Sequence, residues 1–503
     1  MADGLPGWLE SLAREQPDRP ALHFGGRDIG YRGLRERAEH VSRNLADCRV
    51  SPGDRLAYLG GNHPELVALV FACALAKVVL VPLNWRLSSA ELTATVRDCA
   101  PRMLLCDAEF GDVGRAVASA GRTRFIPLRR GDGAWLEWPA LPSFRQPVAP
   151  PSATDLLLLM YTSGTTGIPK GAAHTQEGTD SNADNAIQGY GLTQDDNVLV
   201  NLPLFHVGGL TMLTLPALKA GATVTLHRRF DAGLTLRAIP DRRITMMLAV
   251  ATTLKALYEH PLWHSTDLSS LRLVMTGASI IGADLMRPLF DRGVIASQVF
   301  GATEMGVGTC LPACDALRKI GSVGLPAGHR TMRLVARDGS LVEPGEVGEF
   351  IAGGPGLMRG YWGDPAGTAE CLENGHFRTG DLGTCDQDGY YTIVSRKKET
   401  IISGGENIYP AEIENLLSRS PDIAEAAVVG RLDERWGEVP VAFVVKRPGS
   451  DLSEEAVRAL LRSSLSGYKQ PRQIVFVDAL PRNAMGKIVR PELRRLAASS
   501  GSA

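Results

Sequence analysis

The chain has 503 residues, of which 44% are hydrophobic and 22% are charged, and its formal net charge is −1. This length exceeds what one hydrophobic core normally supports, so we expect a soluble globular protein with at least two domains. The near-neutral charge balance does not favour a nucleic-acid partner. The eight cysteines are sparse and lack metal-ligand spacing, which favours reduced thiols in a cytoplasmic protein.

The N-terminal part of the chain alternates between helix and strand patterns. Helical spacing covers residues 31–44 and 64–76, and the apolar run 78–82 is typical of a strand. Residues 66–83 could suggest a membrane span, but Lys77 interrupts them, so we predict a buried helix followed by a core strand and no transmembrane span. The alternation predicts a doubly wound α/β arrangement.

Residues 154–390 first repeat this alternation of helix and strand patterns, and the pattern then changes. Apolar runs bounded by turn residues predict strands of a covered sheet at 198–203, 223–226, 244–250 and 271–276. After residue 327 the runs shorten and are separated by Gly, Pro and Asp, which predicts short antiparallel strands or a small barrel.

The C-terminal part has the pattern of a separate α+β unit. Pro410 begins a predicted helix, and strands at 423–430 and 439–446 precede a helix at 453–466. The basic cluster Arg396-Lys397-Lys398 marks the border, so we predict domains at 1–397 and 398–503.

A loop of unusual chemistry follows the apolar run 156–160. Residues 161–171 read Tyr-Thr-Ser-Gly-Thr-Thr-Gly-Ile-Pro-Lys-Gly. Backbone N–H groups, hydroxyls and one lysine together suit an anionic ligand such as a polyphosphate. The stretch lacks the Gly-Lys-Ser/Thr ending of the common P-loop. A flexible surface turn is the alternative.

Two further segments place carboxylates after apolar runs. Phe300-Gly301-Ala302-Thr303-Glu304 follows the run 294–299, and we expect the strand to end before an aromatic ring, a hydroxyl and a carboxylate. Glu304 could hold Mg²⁺, which prefers hard oxygen ligands, and Phe300 could stack on a heteroaromatic ring. Thr379-Gly380-Asp381 places an acid after a predicted tight turn, where it could accept hydrogen bonds from ribose. Solvated turn residues are the alternative for both.

Two segments near the C-terminus are weaker signals when each is taken alone. The stretch 396–410 joins the basic cluster to Gly404-Gly405 at the predicted domain border, where it could act as a hinge or simply be a solvated face. Lys487 follows a glycine in a loop rich in Pro, Asn and Gly.

Together, and in this order, these segments resemble the adenylate-forming superfamily of acyl-CoA synthetases, luciferases and peptide-synthetase adenylation domains. The resemblance covers residues 10–495 and is closest in character to bacterial fatty-acid or aryl/hydroxycinnamate CoA ligases. It implies an α/β fold: a large N-terminal domain of doubly wound α/β subdomains with a small β-barrel-like subdomain, and a small mobile C-terminal α+β domain.

The resemblance also implies a two-step reaction with ATP, Mg²⁺ and CoA as cosubstrate. A carboxylate attacks the α-phosphorus of ATP to give an acyl-adenylate and pyrophosphate, and a thiol then displaces AMP. The implied partners are a small-molecule carboxylic acid, ATP and CoA, and a homodimer is compatible with the resemblance.

The residue roles carry over position by position. The implied catalytic residues are Lys487, Lys170, Thr303, Glu304 and His206, with Glu304 as the magnesium ligand. The residues implied in binding ATP or CoA are Thr162, Ser163, Gly164, Thr165, Thr166, Gly167, Lys170, Ser279, Val299, Phe300, Gly301, Thr303, Asp381, Arg396, Lys398, Ser403, Gly404, Gly405 and Lys487. Reorientation about Lys398 would exchange Lys487 for Ser403-Gly404-Gly405 between the two steps.

The acid is less well defined than the nucleotide. By position, segments 206–210, 246–251, 277–281 and 305–308 should line the acyl pocket, and none contains Arg or Lys. A dicarboxylate is therefore disfavoured because an unpaired buried charge is costly. An aryl acid and a medium-chain or long-chain fatty acid both remain, as do a ligase that loads a carrier protein, a luciferase-type oxygenase and a non-catalytic nucleotide-binding protein.

Overall fold

The structure is a computed structural model that describes residues 4–130, 134–139, 150–162, 169–277, 281–404, 406–462, 465–483 and 487–499. The chain divides into two compact units, Met1–Met332 with Ile351–Arg378 and Arg333–Phe350 with Thr379–Ala503. A large N-terminal α/β part and a small C-terminal part confirm the predicted fold class. The predicted boundary between residues 397 and 398 concerns movement and stays a prediction.

The first unit contains a nine-stranded sheet whose inner strands run parallel. Antiparallel strands complete it at both ends. In spatial order the strands are Leu325–Pro326, Gly306–Cys310, Ile295–Ala302, Leu273–Thr276, Met246–Ala249, Asn197–Val200, Thr223–Leu226, Pro20–Phe24 and Arg27–Gly30. Because neighbouring parallel strands end at the same edge, the loops after them are brought together.

An eight-stranded sheet completes the strand framework of the first unit. Its central strands are parallel, and antiparallel pairs flank them. In spatial order the strands are Gly360–Tyr361, Lys170–Thr175, Leu156–Thr162, Val79–Leu83, Arg55–Leu59, Met103–Asp107, Arg124–Arg130 and Leu136–Glu137.

Helices cover both faces of these sheets, as the alternation predicted. The α-helices of the first unit are Leu5–Glu15, Tyr31–Asp47, Pro64–Ala76, Ser89–Cys99, Gly111–Ala120, Gln176–Tyr190, Leu215–Lys219, Ala232–Asp241, Ala251–Tyr258, Ala283–Phe290 and Pro365–Cys371. Alternate residues of the strand Arg55–Leu59 pack in different hydrophobic cores. Leu56 and Tyr58 pack in the cluster that contains the helix Pro64–Ala76, whereas Ala57 and Leu59 pack in a second cluster on the opposite face of the strand. Both faces of the strand are therefore buried.

The stretch 66–83 forms the fully packed helix Pro64–Ala76 and the strand Val79–Leu83, which confirms the predicted helix and core strand. Within the described ranges, no helix is long and apolar enough to cross a membrane.

Beyond residue 330 the strands become mostly antiparallel. One five-stranded sheet contains Thr331–Val335, Gly348–Gly353, His376–Cys385, Leu372–Glu373 and Tyr391–Arg396. A second contains Glu406–Ile408, Ile401–Ser403, Gly437–Lys446, Ile423–Asp433 and Gln473–Phe476. The helices of the C-terminal part are Pro410–Leu417, Glu454–Arg462 and Arg490–Ser499, which confirms its α+β character.

Candidate active site

Three predicted pocket segments follow the carboxyl ends of strands of the nine-stranded sheet, and the fourth, 246–251, contains a strand of the same sheet and the two residues after it. These strands are Asn197–Val200, Met246–Ala249, Leu273–Thr276 and Ile295–Ala302, which are consecutive in the sheet. The segments that follow them contain His206, Val250, Gly277 and Glu304 respectively. In parallel sheets this edge is where ligands bind. The fold therefore brings together segments that are far apart in sequence. Residues 278–280, which include Ser279, lie outside the described residues.

His206 lies in a tight loop before a π-helical turn. Its N–H donates to the Pro203 carbonyl at 3.2 Å, and its own carbonyl accepts from Leu210 at 3.0 Å. The Phe205 and His206 rings are 4.7 Å apart. The following turn, Leu210–Thr214, has π-helical geometry, which is frequent at functional sites. The half-buried imidazole is thus fixed at its backbone beside the predicted acyl pocket.

The strand that leads to Glu304 is longer than predicted. It runs through Ile295–Ala302, so Phe300 and Gly301 are strand residues rather than the loop after a strand. The extension arises because Gly306–Cys310 pairs with this strand as a hairpin, with an irregularity at Gly301. The Phe300 side chain is only 7% exposed, so most of its ring packs inside the protein.

Glu304 follows this hairpin strand and contacts a tyrosine distant in sequence. The Tyr361 hydroxyl donates to Glu304 Oε1 at 2.8 Å, and the Met358 N–H donates to the Glu304 carbonyl at 2.7 Å. Burial lowers the pKa of His174 to about 4, while a backbone hydrogen bond with the neighbouring Thr303 opposes this shift. Glu304 therefore presents a half-buried carboxylate that is hydrogen-bonded by Tyr361, and the histidine that contacts the backbone of the preceding residue is neutral at pH 7. Such a hard oxygen ligand fits Mg²⁺, which usually takes few protein ligands and additional phosphate oxygens.

Lys170 also lies close to Tyr361. Its ammonium is 2.9 Å from Asp364 Oδ2 and 4.9 Å from the centre of the Tyr361 ring. The hydrogen bond with Asp364 raises the pKa of Lys170. Thr162 is paired with Lys170 across the hairpin, and its hydroxyl donates to the Lys170 carbonyl at 3.4 Å. The predicted loop residues between them, Ser163, Gly164, Thr165, Thr166 and Gly167, lie outside the described residues.

The second unit contains Asp381, which is predicted to contact ribose, and Arg396, which the family resemblance implies in nucleotide binding. Arg396 Nε lies 2.7 Å from Asp381 Oδ1, and the two residues are direct strand neighbours. Asp381 is 5% exposed. The predicted tight turn before it is wrong: Thr379, Gly380 and Asp381 lie inside the strand His376–Cys385, where Thr379 Oγ1 donates to the Phe350 carbonyl at 3.1 Å. Sheet pairing before and after Gly380 keeps this segment within the strand, although Gly380 itself has a positive φ of 70°.

The second unit also contains the predicted hinge and CoA residues. Lys398 lies in the 3₁₀ turn Lys397–Glu399, and its carbonyl accepts from Arg494 at 3.0 Å. Ser403 is buried, and the Gly404 N–H donates to the Trp436 carbonyl at 2.7 Å. A Cβ on Gly404 would lie 2.8 Å from the Trp436 ring, so this position suits glycine alone. Gly405 lies outside the described residues.

Lys487 is an exposed residue of the second unit. Its backbone N–H donates to Asn483 Oδ1 at 3.0 Å, and its carbonyl accepts from the Asn483 N–H at 2.9 Å. These bonds fix the backbone from which the side chain extends.

Sequence reasoning did not single out Tyr361 and Asp364. An Asp-Pro pair is a recognisable helix start, and Asp364 is indeed the N-cap of Pro365–Cys371. That signal could have located the segment. Its contacts with Lys170 and Glu304 depend on sheet pairing and are not visible in a single sequence.

The sequence matches the model of the AMP-binding enzyme family over residues 9–362 and that of the AMP-binding enzyme C-terminal domain over residues 412–487. The chain therefore belongs to the AMP-binding enzyme family.

Individual relatives are similar over nearly the whole chain. It is 44% identical to an indoleacetate–CoA ligase from Aromatoleum aromaticum, over 98% of each chain. It is 42% identical to a feruloyl-CoA synthase from Amycolatopsis, over 98% of this chain and 99% of that one. The O-succinylbenzoate coenzyme A synthetase from Bacillus subtilis, solved in complex with ATP and magnesium ion, superposes with a TM-score of 0.85 at 32% identity, over 97% of this chain and 98% of that one.

These similarities establish the enzyme class. The protein is an ATP-dependent, AMP-forming acid–thiol ligase that uses ATP, Mg²⁺ and CoA to convert a carboxylic acid into an acyl-CoA, by way of an acyl-adenylate.

Proposed function

We propose that this enzyme activates an aromatic monocarboxylic acid and transfers it to CoA. The observation that carries this proposal is the convergence on one sheet edge, beside Glu304, of four segments that contain no Arg, Lys, Asp or Glu. An apolar acyl group can be buried there without leaving a charge unpaired.

A buried arginine that is bonded to the pocket segment 305–308 supports a monocarboxylate. Arg330 is 3% exposed and donates to the carbonyls of Met305, Val307, Gly353 and Gly354, at 2.6–3.3 Å. Its guanidinium is thus engaged with the backbone behind the pocket segment 305–308. A second carboxylate on the acid would compete with these carbonyls for the same donors.

The similar proteins named for their acids support the aromatic class. Indoleacetate and ferulate both carry an aromatic ring, and the corresponding enzymes share 44% and 42% identity with this chain. We therefore favour an aromatic acid over a medium-chain fatty acid.

Lys170 and Glu304 are proposed to act on the phosphates in the first step. Attack of the acid's carboxylate on the α-phosphorus breaks the bond to pyrophosphate and places the negative charge on the leaving group. Lys170 would bind the β- and γ-phosphates together with Thr162, and Glu304 would hold Mg²⁺. When bound, Mg²⁺ supplies neutralising charge, and Thr303 would contact the α-phosphate.

The remaining roles follow the family pattern. Asp381 and Arg396 would hold the ribose, and His206 would close the acyl pocket beside the carboxylate. Lys487 would stabilise the charge on the carboxylate and α-phosphate during adenylation. We also propose that residues 1–397 and 398–503 move as separate domains about Lys398.

Acid-dependent exchange of labelled pyrophosphate into ATP tests the substrate class. The panel should contain indole-3-acetate, ferulate, saturated acids of six to twelve carbons, malonate and O-succinylbenzoate. We expect the highest kcat/KM for one of the monocarboxylic aromatic acids and formation of its thioester when CoA is added. A preference for saturated acids or for a dicarboxylate would contradict the aromatic monocarboxylate class.

Two variants separate the chemistry from the choice of acid. Glu304→Gln should lose most exchange with every acid, because the amide binds Mg²⁺ weakly. Glu373→Gln, at an exposed position of the first unit, is the matched control and should exchange like the wild type.

The cellular location and the oligomeric state of the enzyme also stay proposals. We propose a cytoplasmic location, supported by eight free cysteines. A homodimer is a further prediction that sedimentation velocity would check.

A further inference from the structure

Tyr361 and Asp364 contact both charged side chains of the proposed phosphate and metal site. The Tyr361 hydroxyl donates to Glu304 Oε1 at 2.8 Å, and its ring lies 4.9 Å from the Lys170 ammonium. Asp364 Oδ2 accepts from the same ammonium at 2.9 Å. One short segment, residues 360–364, therefore touches two groups that are more than a hundred positions apart in the sequence.

This segment is itself fixed to the strand that carries Lys170. Gly360–Tyr361 pairs antiparallel with Lys170–Thr175, and the Trp362 N–H donates to the Gly171 carbonyl at 2.8 Å. The Tyr361 N–H donates to Thr368 Oγ1 at 2.9 Å. Its backbone is thus held on both sides, so the hydroxyl and the carboxylate have defined positions.

Asp364 uses its two carboxylate oxygens for different purposes. Oδ1 accepts from the Gly367 N–H at 2.8 Å and caps the helix Pro365–Cys371, whereas Oδ2 faces Lys170. A Cβ on Gly367 would clash with the Asp364 carboxylate and with the Lys170 ammonium, so glycine leaves space for this ion pair.

Stability alone does not account for the ion pair. The side chains of Lys170 and Asp364 are 32% and 37% exposed, and ion pairs exposed to this extent contribute little to stability. Its main effect is to restrict where the ammonium lies.

We propose that Tyr361 and Asp364 are positioning residues for adenylation: Tyr361 orients the Glu304 carboxylate towards magnesium-bound ATP, and Asp364 orients the Lys170 ammonium towards the phosphates. This inference rests on the proposed roles of Glu304 and Lys170. Tyr361 would act on the binding of Mg²⁺ and Asp364 on the binding of the phosphates, so variants of the two residues should have different effects.

Tyr361→Phe removes the hydroxyl but keeps the ring. The Mg²⁺ concentration for half-maximal ATP binding, measured by equilibrium dialysis without any acid, should rise about tenfold, as expected for losing a hydrogen bond to a charged group. In the exchange assay the KM for the acid should stay unchanged. Tyr258→Phe is the matched control, because Tyr258 donates only to the Leu285 carbonyl among the bonds described here, and it should leave the Mg²⁺ requirement unchanged.

Asp364→Asn keeps an N-cap acceptor but removes the charge beside Lys170. The KM for ATP and for pyrophosphate should rise several-fold, while the Mg²⁺ requirement stays near that of the wild type. A merely structural role would instead lower the melting temperature and leave both constants unchanged.

Glu304→Gln and Lys170→Ala distinguish failure of this inference from failure of the proposed function. If Glu304→Gln shifts the Mg²⁺ requirement and Tyr361→Phe does not, the positioning role of Tyr361 is overturned while that of Glu304 stands. If Lys170→Ala raises the KM for ATP and for pyrophosphate and Asp364→Asn does not, the positioning role of Asp364 is overturned while the role of Lys170 stands. If neither Glu304→Gln nor Lys170→Ala affects ATP binding, the proposed site and this inference fall together.

Discussion

Arg330 is a cation inside the first unit that no carboxylate neutralises among the contacts described for it. Burial lowers its pKa to about 10, which leaves it charged at neutral pH, and its donors are used by the carbonyls of Met305, Val307, Gly353 and Gly354. These bonds connect the segment after Glu304 to the strand end at Gly353. A single side chain thus holds two parts of the backbone together.

Replacement of Arg330 by methionine should therefore destabilise the protein. Methionine fills a similar volume but leaves buried carbonyls without donors, at a cost of about 3 kcal/mol. We expect a lower midpoint of urea denaturation, and Arg330→Lys should recover part of the loss. Arg333→Met, at an exposed position nearby in the sequence, is the control. Equal midpoints for the two methionine variants would show that Arg330 is not a structural cation.

At the scale of residues, sequence patterns located the chemistry but not its partners. The positions of Lys170, Glu304 and Asp381 could be named from local motifs. Arg330 and Tyr361 could not, because their roles arise from contacts with residues distant in the chain. A lone arginine or tyrosine carries no local pattern that distinguishes it from a surface residue.

The helix Pro64–Ala76 begins with a histidine cap that should make stability depend on pH. His63 Nδ1 accepts from the Glu65 N–H at 3.1 Å, and protonation would remove that acceptor. Burial lowers the pKa of His63 from 6.5 to about 3, although Asp107 opposes the shift. Between these values the unfolded state binds the proton and the folded state does not. Stability should therefore fall as the pH decreases below 6.5.

His63→Asn tests this prediction because asparagine is a good N-cap that does not titrate. From pH 6.5 to 5 the wild type should lose about 2 kcal/mol relative to the variant. Denaturation midpoints measured across this range give the difference in slope. His264→Asn, at an exposed position, should keep the slope of the wild type, and a His63→Asn slope as steep as the wild type would contradict the role of the cap.

At the scale of elements, the strongest apolar patterns were located well. The helix Pro64–Ala76 and the strand Thr223–Leu226 coincide with their predicted ranges, and the helix Pro410–Leu417 begins at the predicted residue. Errors occur where pairing extends a strand through glycine, as in Ile295–Ala302 and His376–Cys385. Glycine favours a turn locally, but a hydrogen-bonded neighbour strand can override that preference.

At the scale of the whole molecule, the order of apolar runs predicted α/β layers, but not which strands are neighbours. The eight-stranded sheet places Leu156–Thr162 beside Val79–Leu83, although a long stretch of chain separates them. Sequence order does not specify such crossovers. The shared sheet edge of the proposed acyl pocket therefore needed the structure, whereas the resemblance to a known family already indicated the reaction.

The proposed division of labour between the two units can be tested at Lys487. Lys170 and Glu304 belong to the first unit and Lys487 to the second. If Lys487 stabilises only the charge that develops during adenylation, its loss should affect one of the two half-reactions. Lys487→Ala should lower acid-dependent pyrophosphate exchange at least about a hundredfold, as expected when a preorganised charge-stabilising donor is removed. Thioester formation from preformed acyl-adenylate and CoA should remain within a few-fold of the wild type.

The matched control for this experiment is Lys446→Ala, which removes a second-unit lysine that lies over the Phe476 ring at 4.3 Å. It should leave both half-reactions unchanged. Each half-reaction must be measured separately, because the overall rate of CoA ester formation would fall with either step. Charge stabilisation confined to adenylation cannot slow the attack of a thiol on an adenylate that is already formed. Equal losses of both half-reactions in Lys487→Ala would therefore mean that the lysine supports the fold or a shared binding step.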